Sequence, residues 1–202
     1  MSKRLISALS AALVATSVYA ASAHEHGAAK MNVSVDGKEV VIELETPLDS
    51  VLGFERAPNG AKEEQAVKDM AAKLRKADAL FAFSPKAECK LVSVELESEV
   101  LSAELLGETN DGKRERDDHR HDGDHEEHAD HHDGDHDDHE EHADLDAEFN
   151  FVCRNPKALS KIDVNLFKAF PKLNEIEAQI VTAKTQNAAE LSAKNAAINI
   201  AQ

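Results

Sequence analysis

Nine of the eleven histidines lie in one stretch, HRHDGDHEEHADHHDGDHDDHEEHAD at 119–144, among twelve acids and a single arginine. Imidazole nitrogen and carboxylate oxygen are donors that zinc takes, four to an ion. His119, His121, His125, His128, His131, His132, His136, His139 and His142 are therefore candidate metal ligands, with Asp124 and Asp135 of the two DGDH steps. Nine imidazoles with neighbouring carboxylates would serve roughly two to four ions. Imidazole also suits copper and nickel, and Cu(II) binds a given site more tightly than Zn(II). Calcium prefers six to eight oxygens, so histidine would be wasted on it. DGDH echoes the start of an EF-hand loop, but the closing bidentate glutamate and the flanking helices are missing.

The stretch is repetitive. HDGDHEEH (121–128) recurs as HDGDHDDH (132–139), and HEEHAD (125–130) recurs at 139–144. Neither repeat has a side chain that could build a core. From His121 to His139 the main histidine spacings are 4, 3, 4, 4 and 3. In a helix these would form one stripe. Gly123, Gly134 and the many aspartates oppose helix, and fourteen acids against one base over 117–144 repel one another. The expectation is a disordered insert, about 113–145, that divalent cations neutralise and order in part. Flexible ligands lose entropy on binding, so several exchangeable sites are expected here, not one rigid cage. Neutral imidazole is the ligand, so binding should weaken below about pH 6.5. The alternative is an acidic loop that only solvates, but that would not need histidine at every third or fourth place.

A second candidate site lies near the start. MSKR, the apolar run LISALSAALVATSVYA and ASA at 21–23 read as a secretory signal peptide cut before His24, with a cut after Ala20 as the alternative. The run is too short for a comfortable membrane anchor and no second one follows. The mature chain, 24–202, is then the length of one domain, and export without another anchor points to the periplasm. A free amine followed by His-Glu-His would wrap Cu(II) or Ni(II) in square-planar nitrogen ligation. Equally, His24 and His26 would join a zinc site with a carboxylate of the folded domain such as Glu55. A frayed end that binds nothing is the remaining alternative.

The net charge of −16 disfavours nucleic acid and anionic membranes as partners and favours a cation. No GxSxG, HExxH or phosphate-cradling glycine loop occurs. HEEH spaces its histidines three apart, one short of the zincin pattern, so no enzymatic activity is expected. Cys89 and Cys153 are an even pair in an exported chain, which most simply means a disulfide closing a loop of about 65 residues, with a stabilisation of about 4 kcal/mol. Two thiolate metal ligands are the alternative, without a CxxC to support it.

The elements that must carry these groups read as α+β, mainly antiparallel strands with one main helix. AKMNVSVDGKEVVIELETP (29–47) alternates on both sides of Asp36-Gly37, which predicts a β-hairpin with a type I′ turn. Ala66, Met70, Leu74 and Ala77 draw one apolar stripe, which predicts a helix near 61–77. Residues 88–105 fit one or two strands, and DAEFNFVC (146–153) another. If these pair antiparallel, Cys89 and Cys153 meet at one end, and the acidic insert becomes an overgrown hairpin connection fastened at its base by the sheet and the disulfide. Leu166–Phe170 is a short helix stopped by Pro171, and alternation at 176–182 and 196–200 predicts two more strands. No βαβ rhythm is present, which argues against a parallel α/β fold.

With those residues in view, the chain resembles the ZrgA family of exported zinc-binding proteins. The resemblance runs over nearly the whole mature chain: HEHG at its start, GFER after Pro47, AEC at 87–89, the His/Asp/Glu insert, FNFVCRNP at 149–156, and LFKAFPKLNEIEAQIVTAKTQ at 166–186. It implies periplasmic zinc capture in support of an ABC-type importer or its binding protein. It departs at one place. The family leads one to expect GFEH, where this chain has Arg56, so any metal role there is lost and Arg56 is left to pair with an acid.

Overall fold

The computed structural model describes residues 26–108 and 143–200. The first hairpin is strands β1 (Ala28–Asp36) and β2 (Glu39–Pro47). Asp36 pairs with Glu39, so the loop is Gly37-Lys38. Of these two only Gly37 has positive φ, +55°. That is the II′ pattern, with glycine first, in place of the expected I′ turn. A I′ turn on these residues would force Lys38 into a left-handed conformation that its Cβ resists.

β2 ends at Pro47 and runs directly into a single helical turn, α1 (Leu48–Val51). The main helix, α2, covers Ala61–Leu74 and buries Val67, Met70, Ala71 and Leu74. It is the only helix of seven or more residues among those described. It stops three residues before the expected end. Lys76 leaves helical geometry (φ −88°, ψ 47°), and a separate turn, α3 (Ala77–Leu80), leads into strand β3 (Phe81–Phe83). The 88–105 region is one strand, β4 (Cys89–Glu97), followed by a short helix, α4 (Ala103–Leu106). The Ser102 hydroxyl accepts from Leu105 N–H at 3.4 Å, and Gly107 ends α4 in the left-handed region.

After the insert come β5 (Asp144–Cys153), β6 (Lys161–Val164), the turn α5 (Leu166–Ala169), β7 (Glu175–Thr182), β8 (Gln186–Ser192) and β9 (Ala197–Asn199). The large sheet has the order β4-β5-β2-β1-β7-β8 and the small one β3-β6-β9. All pairings are antiparallel except β1 with β7. The α+β reading, mainly antiparallel with one main helix, is what the chain forms.

Alternation then decides the faces. Met31, Val33, Ile42, Leu44, Leu145, Phe149, Phe151, Ile176 and Ile180 are buried on one side of the large sheet, while their polar neighbours face out. The small sheet and helices cover the buried side. Phe81 meets Phe149 edge-on at 5.0 Å, and Phe83 meets Phe151 at 4.6 Å. Such pairs add about 0.5–1.5 kcal/mol beyond the area they bury. The described core is one continuous cluster.

Candidate metal centre

The topology collects several chain segments at one end of the large sheet. β1 begins there, β2 ends there, and β5 and β7 begin there, because Ala28 pairs with Glu175 and Pro47 with Asp144. Residue 26, turn α1, the segment before β7 and both ends of the insert therefore share a neighbourhood.

His26 stands in the middle of this group. Its Nε2 lies 3.6 Å from Glu55 Oε1 and its Nδ1 3.7 Å from Asp49 Oδ2. The histidine side chain is 58% exposed, Asp49 24% and Glu55 17%. Lys172 Nζ donates to the other oxygen of Asp49 at 3.1 Å. The geometry thus brings together His26 and Glu55, both expected at this site, and adds Asp49 and Lys172. Neither of the two has a sequence signature: Asp49 lies between two apolar residues of an ordinary helical turn, and Lys172 is 123 residues away from it.

Local chemistry explains the placement. Gly27 N–H donates to the buried hydroxyl of Ser50 at 3.0 Å, tying His26 to α1. Gly27 carbonyl accepts from Asn174 N–H at 2.7 Å and from Glu175 N–H at 3.1 Å. Gly27 has φ +86°, and a Cβ there would collide with the Asn174 side chain, so only glycine fits.

Arg56 does pair with an acid. It makes a two-pronged contact with Glu63, at 2.7 and 2.9 Å, and lies 5.3 Å over the Phe54 ring. Glu63 also accepts from Asn59 N–H at 2.6 Å. One carboxylate near the start of α2 thus fastens the loop that carries Glu55. The Arg56 hydrogen bond, then the bond from Asn59, hold the Glu63 carboxyl down to about 2. A depressed acid stabilises the fold fully above its unfolded pKa, about 4.3, and loses that stabilisation as pH falls through its folded value. The stability difference between the native chain and Glu63→Gln should therefore be constant above about pH 5 and shrink toward pH 2. Urea midpoints measured across that range check it. A difference that grew on acidification would contradict the pairing.

The two ends of the insert are held by contacts other than the disulfide. Before it, Arg75 donates to Val94 and Leu106 carbonyls at 3.1 and 2.9 Å and to Glu108 Oε1 at 2.6 Å. The same carboxylate oxygen accepts from Leu96 N–H at 2.8 Å. After it, Ala143 is buried and its carbonyl accepts from Leu48 N–H at 2.9 Å. Leu48 is next to Asp49, so the insert re-enters the fold beside the His26 group.

Cys89 and Cys153 are bonded and directly paired across β4 and β5, as expected. The bond does not fasten the base of the insert. Cys89 opens β4 and Cys153 closes β5, so they meet at the far end of the ladder, whereas the insert joins the end of β4 to the start of β5. Eight strand residues, about 26 Å, separate the two ends. The disulfide instead sits beside the first hairpin, where Cys153 N–H donates to Lys38 carbonyl at 2.8 Å.

The exposed face of the large sheet is acidic near the metal end. Glu97, Asp146 and Glu45 face one another across three strands, and Glu95, Glu148 and Glu43 do so one row further on. Like charges placed opposite cost stability. Partial burial, and then the charges of Glu45, Asp144, Glu97 and Glu99, push the Asp146 carboxyl up. Lys30 offsets part of this at Glu45, 3.1 Å away.

His24, the nine insert histidines, Asp124 and Asp135 lie outside the described residues, as does the signal segment. Among the described residues, no three of His, Cys, Asp or Glu are gathered closely enough to hold an ion. His26 and its carboxylates are therefore part of a ligand set. No described helix is long and apolar enough to cross a membrane.

No curated protein is similar enough to this chain to match it. A family model described as "ZrgA family zinc uptake protein" matches residues 23–200, a span that takes in His24, His26, the insert and every strand described above. The chain belongs to the ZrgA family of zinc uptake proteins.

Proposed function

We propose that this protein captures zinc in the periplasm and hands it to an ABC-type zinc importer or to that importer's binding protein. The observation that carries the reading is the shared end of the sheet: His26 with Asp49 and Glu55, and both ends of the insert. Ions gathered by the insert histidines would be released next to a more ordered acceptor. His24, two residues before His26, is the natural third ligand there, and Glu55 the carboxylate. Carboxylates on both sides of the ring suit zinc better than the all-nitrogen square plane that Cu(II) or Ni(II) would take from the mature amino end. The acidic outer face at the same end raises the local cation concentration. The family match begins at residue 23, which supports export and a cut before His24. The protein works by binding and transfer, with no chemistry of its own.

Delivery and mere storage part company in the cell. A strain lacking the protein should grow more slowly than its parent in zinc-chelated medium and recover on added zinc. Normal growth under chelation, with failure only in excess metal, would replace delivery by storage.

A further inference from the structure

Resting on the reading above that His26 is a zinc ligand, we infer that zinc is taken by His26 Nε2 together with Glu55. Asp49, held by Lys172, stays outside the coordination shell and steers the ring through Nδ1–H. By distance alone the two sides of the ring look alike, 3.6 Å to Glu55 and 3.7 Å to Asp49. Both separations are too long for a hydrogen bond. Two donors bound to one tetrahedral zinc lie about 3.3 Å apart, so either carboxylate could share an ion with the ring after a small adjustment.

Charge separates them. Lys172 Nζ already sits 3.1 Å from Asp49 Oδ1. An ion between Asp49 and Nδ1 would lie one carboxylate away from that ammonium and be repelled by it. On the other side, the neighbouring cation Arg56 is turned away onto Glu63. Glu55 is also the more buried acid, and its Oε1 is sealed from solvent, where attraction for a cation is less screened.

The slot for Lys172 is part of the fold. A Cβ at Gly53 would come within 3.0 Å of Nζ, so a side chain there would crowd the ammonium. Metal-bound histidine commonly donates its second N–H to a carboxylate, which fixes the tautomer and the ring plane. Asp49 stands on the correct side to accept that proton, and Lys172 keeps it there.

The test uses the full chain from His24, with ¹⁵N-labelled histidine and saturating zinc. Long-range ¹⁵N–¹H spectra are recorded, with His26 assigned through His26→Gln. The expected spectrum shows metal on Nε2 and a retained proton on Nδ1. Asp49→Ala should weaken zinc at His26 about 10- to 100-fold and move the Nδ1–H signal. Lys172→Met frees Asp49 and should shift a fraction of His26 to ligation through Nδ1, which a purely structural lysine would not do. Metal on Nδ1 in the native chain, or an unchanged ring tautomer in Lys172→Met, overturns the inference and leaves the zinc-ligand reading of His26 intact. A His26 that stays metal-free at saturating zinc removes both.

Discussion

Replacing residues 110–141 with a short Gly-Ser linker will leave a folded protein that binds roughly two to four fewer zinc ions. The loss is large because the replaced segment holds nine of the eleven histidines. The fold survives because neither end of the insert depends on what lies between. Glu108 is held by Arg75 and by Leu96 N–H, and Ala143 by Leu48. The boundaries matter. A cut to residue 145, the limit that composition suggests, would remove Ala143 and Leu145, which are 5% and 0% exposed. It would also delete the pairing of Leu145 with Thr46 and of Asp144 with Pro47, and so expose the His26 end of the sheet. Bound zinc is counted by atomic absorption after dialysis against buffered zinc, with far-UV circular dichroism as the check on folding. Undiminished zinc in a folded deletion would move the main capacity to the folded domain and leave the insert without its assigned role.

Much of this architecture could be read from alternation alone. The hairpin 28–47, the strand ending at Cys153 and the pairing of the two cysteines follow from apolar residues at every second place. These strands each bury one face, so their pattern has to be clean. Where burial stops dictating residue type, legibility stops too. β8 (QNAAELS) is an edge strand with Leu191 as its one buried residue, and it is a strand because its backbone pairs with β7. The parallel pairing of β1 with β7 joins segments about 140 residues apart, and nothing local encodes it. The helix α4 was legible in principle, from Ser102 as cap and Gly107 as stop, but the alternating Val and Leu before it read as strand. The site divides in the same way. Histidines are rare enough to announce themselves, and Glu55 lies in a family motif. Asp49 and Lys172 become a pair only when β2 and β7 are laid at the same end of the sheet. The position of the disulfide was also misjudged. Correct antiparallel pairing had been inferred, yet the strand directions put the insert at the opposite end.

That separation of ends leads to the other large effect. Removing the disulfide by Cys89→Ala with Cys153→Ala should lower stability by about 2–5 kcal/mol while leaving the zinc equivalents unchanged. The bond joins residues 64 apart in sequence, so losing it frees a long loop of the unfolded chain. It also releases β4, an edge strand whose inner residues Leu91 and Val94 are only partly buried, from β5. The damage is local to the far end. Phe149 and Phe151 remain wedged against Phe81 and Phe83, and β5 keeps its full pairing with β2. The contacts that assemble His26, Asp49, Glu55 and the two ends of the insert lie about 26 Å away. Urea unfolding of the double variant measures the first effect, and a zinc count under conditions where it remains folded measures the second. If a folded double variant also lost zinc, the two ends of the sheet would be coupled, and the disulfide would regain a part in holding the metal-gathering segment.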